Sequence, residues 1–153
     1  MRRAAPIVLV LVALGALALW YFTRPQPTDE QKVLALVSEA RAAVERKSAN
    51  RLMRLISEDY MDKYGYDKRG LRQLATSAMY RAEHYTIYPQ VTSLKFQGDL
   101  ASLEIKAWFW AGDPQSGPGL ELNITAKLQR EGRQWRVISA SGWEEAESEA
   151  MNE

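Results

Sequence analysis

The chain has 153 residues, room for one domain and a short appendage. Twenty Lys and Arg against nineteen Asp and Glu give a net charge of +1, so no global field points to nucleic acid. There is no cysteine and one histidine, His84, which excludes disulfides and thiolate sites and leaves little for a zinc site, and no Ser–His–acid signature accompanies it. No metal or cofactor is expected.

Ala4 to Phe22 is apolar, without a charge until Arg24. About 20 helical residues span the ~30 Å hydrocarbon core of a bilayer. Arg2 and Arg3 favour a cytoplasmic N-terminus, and Trp20, Tyr21 and Phe22 sit where an interfacial aromatic belt would lie. The expected organisation is a cytoplasmic start (1–3), a transmembrane anchor (4–23), a linker (24–27), a domain (28–143) and an acidic tail (144–153). The setting would be a bacterial inner membrane crossed once, with the domain extracytoplasmic. The competing reading is a signal peptide cleaved near Ala16-Leu17-Ala18.

Pro25 and Pro27 end the first segment, and Thr28-Asp-Glu-Gln31 has the spacing of a capping box. Val33, Leu36, Val37, Ala40 and Val44 then share one face of an amphipathic helix. Ser48 is placed to cap a short second helix with Leu52, Leu55 and Ile56 inward, and Asp67 a third with Leu71, Leu74, Ala75 and Ala78 on one face. Arg51, Arg54, Lys68, Arg69, Arg72 and Arg81 make these helices basic outside. That is the pattern of a solvated face or of contact with anionic headgroups.

From Tyr85 to Trp143 the pattern changes to a period of two. Leu94 and Phe96 lead to a turn at Gly98-Asp99. Leu103, Ile105, Ala107 and Phe109 then alternate with Ser102, Glu104, Lys106, Trp108 and Trp110. Leu120, Leu122, Ile124, Ala126 and Leu128 alternate likewise before a turn at Glu131-Gly132. The Gly112–Gly119 stretch lacks the Lys and following helix of a phosphate loop and reads as a flexible hairpin tip. Asn123-Ile-Thr125 fits a glycosylation acceptor but falls mid-strand.

The fold class is α+β: three N-terminal helices packed on a curved antiparallel sheet, a cone-shaped roll, preceded by one transmembrane helix. In the long first helix, the ERKSANRLMRLISEDYMD segment, the helix after Asp67 and the closing GRQWRVISASGW strand, the chain resembles the nuclear transport factor 2-like superfamily, which includes ketosteroid isomerase and polyketide cyclases. The resemblance implies helices lying across the concave sheet face around a cone that often holds an apolar ligand. Leu103, Ile105, Phe109, Leu122, Ile124 and Leu128 would line it against Leu36, Ala40, Leu55, Leu71 and Leu74, as a cavity or as a packed core.

Isomerase chemistry needs a carboxylate base and tyrosine or acid donors in an apolar pocket. Asp59 and His84 are the catalytic candidates, and Tyr60, Tyr64, Tyr88 and Phe109 the candidates for a small apolar or lipid-like ligand. No acid falls on the inferred concave face of the strands, which argues against transferring the isomerase reaction. Trp108 and Trp110 share the outer face with Glu104 and Lys106. Large apolar side chains at i and i+2 on a polar face suggest an interface, extended by Ile138 and Ala140 if these share it. The resemblance implies a dimer through this face, unless the tail or the 112–119 loop covers it. The leading expectation is therefore a membrane-tethered, non-catalytic interaction or assembly module that self-associates or meets an envelope partner. Ligand binding stands second and an isomerase- or cyclase-like enzyme third.

Overall fold

The computed structural model describes residues 5–23, 25–81 and 83–144. Residues 1–3, Arg24 and the tail beyond Glu144, all assigned roles above, lie outside the described residues. The elements are α1 (Ala5–Thr23), α2 (Asp29–Glu45), α3 (Ala49–Met53), α4 (Lys68–Met79), β1 (Tyr85–Gln97), β2 (Leu100–Ala111), β3 (Leu120–Glu131) and β4 (Gln134–Ser141).

The large apolar side chains of α1 are exposed, from 57% for Val10 to 83% for Phe22, and α1 makes no extensive contact with another element. Among the described residues, which include the side chains of α1 only from Val10 onward, no helix is long and apolar enough to cross a membrane. The three helices that follow begin at the expected caps. Thr28 and Gln31 form the capping box, each side chain accepting from the other's amide at 3.2 and 3.0 Å. Ser48 accepts from the Arg51 amide at 3.4 Å, and Asp67 from the Gly70 amide at 2.7 Å. On α2, Val33, Leu36, Val37 and Ala43 are buried, whereas Ala40 and Val44 are half-buried. Ala43 lies on the Leu36 side of the stripe, so the buried face is rotated slightly from the expected one.

The sheet is an antiparallel meander in the order β1-β2-β3-β4. The β1–β2 and β3–β4 turns fall at Gly98 (φ 62°) and Gly132 (φ 61°), left-handed positions that favour glycine. The 112–119 connection contains a single 3-10 turn, Pro114–Ser116, capped by Asp113. Pairing puts Leu103 opposite Ala126 and Leu94, and Ala107 opposite Leu122 and Pro89, all on the helix-covered face. The register slips between Val91 and Ser93 in β1 and between Lys127 and Leu128 in β3, where Ile138 of β4 is the extra residue. Such bulges bend strands and sharpen the sheet's twist. The β4 bulge also corrects one expectation. Ala140 returns to the inner face and packs against the core, so it does not extend an outer patch, and Ile138 sits at the bulge, two strands from β2.

Both sheet edges are engaged in part. Pro89 removes one amide from β1, and the Ile87 amide donates to Glu45 at 3.3 Å. Along β4, the Ser57 amide donates to the Val137 carbonyl and the Val137 amide to the Leu55 carbonyl, both at 2.9 Å, while the Met61 amide donates to the Ile138 carbonyl at 3.0 Å. The interior between sheet and helices is occupied by Val33, Met53, Tyr60, Leu103 and Leu128, each at most 1% exposed. The cone is packed along this line.

Candidate functional site

The connector between α3 and α4 is organised around a buried carboxylate. Asp62 is 6% exposed, and its Oδ1 accepts the Tyr64 and Tyr66 amides, each at 2.9 Å. The Tyr60 hydroxyl donates to Asp62 Oδ2 at 3.4 Å. Burial pushes the Tyr60 phenol well above its usual range, and the adjacent Asp62 charge adds to the rise. Trp143 Nε1 is buried without a geometrically sound hydrogen bond, yet close enough to that hydroxyl to oppose the shift. Tyr60, expected at a pocket mouth, is a core residue.

Tyr64 and Tyr66 face outward from this connector and bracket the Trp143 ring, with centroids 6.4 and 6.3 Å away. The Tyr64 hydroxyl donates to Glu144, Lys63 pairs with Glu144 at 3.0 Å, and the Gly142 amide donates to its other oxygen at 2.6 Å. Partial burial opposes ionisation of Glu144, but these donors outweigh it and hold the carboxyl at about 2. The same Tyr64 and Glu144 contacts raise Lys63. Gly142 (φ 89°) sits so close to the Asn123 carbonyl that a Cβ could not be accommodated. The end of β4 is thereby clasped to the connector.

The catalytic candidates are not brought together. Asp59 is exposed in the connector bonded to β4, whereas His84 is exposed at the start of β1, across the sheet. Three strand spacings, about 14 Å, separate those edges. The ligand candidates also diverge. Tyr60 is in the core and Tyr64 in the clasp. Phe109 stacks on Tyr85 at 5.2 Å on the concave face, and Tyr88, 49% exposed, lies on the opposite face. Among the described residues no group of three His, Asp or Glu is placed to hold a metal.

The outer face does assemble a cluster. Tyr88 is the cross-strand partner of Trp108 and meets the Trp110 ring edge-on at 5.6 Å. Arg41 reaches round the β1 edge to lie 5.3 Å from the Tyr88 ring centre. Lys106 lies 5.7 Å from the Trp108 ring centre and pairs with Glu121 on β3 at 2.8 Å. The 112–119 loop folds over Trp110, whose Nε1 donates to the Gly117 carbonyl at 3.1 Å. Gly119 lies so close under that indole that any Cβ would collide with it. Trp108 and Trp110 are both half-buried, and the loop covers only Trp110. Glu104 on the same face is exposed.

One clamp was not anticipated. Asp29, in the first turn of α2, accepts from Arg130 at 2.6 Å and from Trp135 Nε1 at 3.1 Å. The Trp135 hydrogen bond and Arg130 hold its carboxyl below the usual range. This fixes the chain just after the linker to the far end of β3 and β4. The sequence signal was an acid beside the cap, with Arg130 and Trp135 flanking a turn about a hundred residues later.

No protein-family model matches the chain, and no curated protein does. Solved structures do resemble it. A domain of unknown function with a cystatin-like fold from Nostoc punctiforme aligns with a TM-score of 0.63 at 12% identity, covering 76% of each chain. A Thiobacillus denitrificans protein, provisionally described as a calcium/calmodulin-dependent protein kinase type II association domain, aligns at 0.61 and 16%, covering 74% of this chain and 92% of that one. A Streptomyces avermitilis protein, provisionally described as a dehydratase of the nuclear transport factor 2-like family, aligns at 0.60 and 17%, covering 73% and 93%. With its helices packed on a four-stranded antiparallel meander, the chain therefore has the α+β fold shared by cystatin-like and nuclear transport factor 2-like domains.

Proposed function

We propose that this chain is a membrane-tethered, non-catalytic interaction module, and that two copies associate through the sheet face around Trp108 and Trp110. The observation that carries the reading is the Tyr88–Trp108–Trp110 cluster on a face over which, among the described residues, no helix packs extensively. The face is also self-compatible in charge: Lys106 and Lys127 stand among Glu104 and Glu121 on β2 and β3. Two copies related by a two-fold axis would therefore meet with acids and bases available to one another. The Thiobacillus neighbour, described as an association domain, is consistent with this use of the fold.

Tethering rests on α1, 19 residues from Ala5 to Thr23 without a charged side chain. At ~1.5 Å per residue such a helix approaches the ~30 Å hydrocarbon thickness. An exposed helix that is apolar all round and makes no extensive contact with the domain behaves as a segment made for lipid. Arg2 and Arg3 orient it with the domain outside the cytoplasm of a bacterial cell. The Streptomyces neighbour is described as an enzyme, but in this chain the acid and the imidazole that chemistry would use stand on opposite sheet edges.

The test is native mass spectrometry of the full-length chain released from its membrane in mild detergent. A dimer that becomes a monomer in the Trp108→Ser/Trp110→Ser double variant, with an unchanged far-ultraviolet circular dichroism spectrum, is the expected result. A wild-type monomer, or an equally dimeric variant, overturns the proposal.

A further inference from the structure

A second surface lies on the opposite side of the domain, where the chain leaves α1. Gln26 and Pro27 of the linker border an open groove of about 880 Å³ between α2, α3, the start of α4 and the β3–β4 turn. Its floor is apolar: Leu36 and Met53 are buried, Leu55 is half-buried, and Trp135 closes one end. Its rim carries Lys32, Arg54, Lys68, Arg72, Arg133 and Arg136 against two acids, Glu39 and Glu58, a net charge of +4.

Partners inside the domain divide these charges. Glu58 pairs with Lys68 at 2.7 Å, and Glu39 faces Arg51 at 3.8 Å, so both acids already have a cation. Lys32 is held by Asp29 at 3.5 Å and Arg136 by Glu131 at 3.0 Å. The guanidinium groups of Arg54, Arg72 and Arg133 have no carboxylate within ion-pair distance among the described residues, and all three are exposed. The accessible apolar side chains of Pro27, Ala35 and Leu55 beside three guanidiniums that form no close ion pair suit one ligand chemistry: an anionic phosphate carried on a hydrocarbon body.

We infer that this groove holds the headgroup of an anionic glycerophospholipid from the bilayer that anchors α1, with the phosphate at Arg54, Arg72 and Arg133 and the glycerol and upper acyl segments along Pro27, Ala35 and Leu55. The inference rests on the membrane-tethered reading of α1. From Thr23 to Pro27 the chain extends at most about 13 Å, so the groove mouth is held within reach of the headgroup layer. Headgroup capture fixes the domain's tilt, which leaves the tryptophan face of the sheet directed away from the lipid and open to a second copy. The Asp29–Arg130–Trp135 clamp makes the groove wall and the linker one rigid piece, so a bound lipid orients the whole domain.

The experiment places the full-length chain in nanodiscs of pure phosphatidylcholine or of phosphatidylcholine with one-third phosphatidylglycerol. It reads phenylglyoxal modification at each arginine by mass spectrometry. Each cation near an anionic surface contributes about fivefold to binding, so Arg54, Arg72 and Arg133 are expected to be protected several-fold in the anionic discs. Arg46, at the far end of α2, should react equally in both. The R54Q/R133Q variant should lose the phosphatidylglycerol that otherwise stays bound when the wild-type chain is released into the mass spectrometer. Equal labelling of the three arginines, with the chain in the disc fraction, overturns the lipid site while leaving the anchor intact. A chain that fails to enter discs at all overturns the anchor reading first. Protection by soluble glycerophosphoglycerol in phosphatidylcholine discs, matching that in the anionic discs, overturns the bilayer as the source of the phosphate.

Discussion

On the concave face of the sheet Trp135 is 4% exposed, sealed by Phe96 at 5.3 Å and hydrogen-bonded through its indole to Asp29. On the convex face Trp108 and Trp110 are half-buried, with one lysine, one tyrosine and a loop carbonyl as their neighbours. Both faces alternate apolar residues with the same period. They differ in what the described residues lay over them: α2 and the segment after it on one side, the 112–119 loop on the other. A buried tryptophan with a charged acceptor is packing. A half-covered aromatic pair on the other face is the surface on which the proposed association rests.

The largest expected effect tests that division directly. Leu128→Ala, at a position 0% exposed, should destabilise the domain by about 2–5 kcal/mol, since it removes transferred surface and leaves a cavity. Trp108→Ala should change the stability of the monomer by less than about 1 kcal/mol, as expected for surface substitutions away from packed features. Urea unfolding of both variants at a concentration where the chain is monomeric makes the comparison. A Trp108→Ala cost equal to that of Leu128→Ala would show that the convex face is core, and the distinction between the faces would fail.

Much of this division was legible in the residues. Period-two alternation placed Leu103, Leu122 and Leu128 inward and Trp108 and Trp110 outward, and the three caps at Thr28, Ser48 and Asp67 form as spaced. The bulge at Ile138 was not legible, because a single extra residue reverses the phase of everything beyond it and leaves no compositional mark. That is why the condition for Ala140 to extend the outer patch is not met. Tyr60 was misplaced for a different reason. A tyrosine in a polar connector looks like a rim residue until a buried acid, Asp62, is found to accept its hydroxyl. The groove basic residues were visible as a basic helix exterior. Their convergence with Arg133 and Arg136 depends on the β3–β4 turn folding back beside α3, a long-range contact that periodicity does not encode.

An intermediate effect is expected where the connector meets the concave side. Asp62→Ala leaves the Tyr64 and Tyr66 amides without their acceptor and the Tyr60 hydroxyl without its partner. Losing a buried acceptor of this kind costs about 1–3 kcal/mol. Chemical denaturation measures it, and a Tyr60→Phe/Asp62→Ala double variant should lose less than the sum of the two single changes, because they share one hydrogen bond. Additive losses would mean that the two groups act independently and that the connector is held by something else.

The smallest effect belongs to the clasp at the end of β4, and it is read by pH. The folded Glu144 carboxyl is held at about 2 against an ordinary value of 4.5, so the folded state binds its proton less readily than the unfolded chain. Its contribution is therefore complete above pH 4.5 and is lost as the pH falls through 4.5 toward 2. Because the group is partly exposed and screened by water, the loss should be on the order of 1 kcal/mol. The Gly142 amide, which donates to this carboxylate at 2.6 Å, is the local reporter, and its NMR shift should titrate with a midpoint near 2. In Glu144→Gln the titration should vanish, and the acid-dependent slope of stability should shrink by the share that Glu144 contributes. A midpoint at the ordinary carboxylate value would mean that Tyr64 and Lys63 do not hold Glu144 in solution. The strand end would then be secured by the Tyr64–Trp143–Tyr66 ring contacts alone, and the clasp would be a packing feature of the kind seen on the concave face.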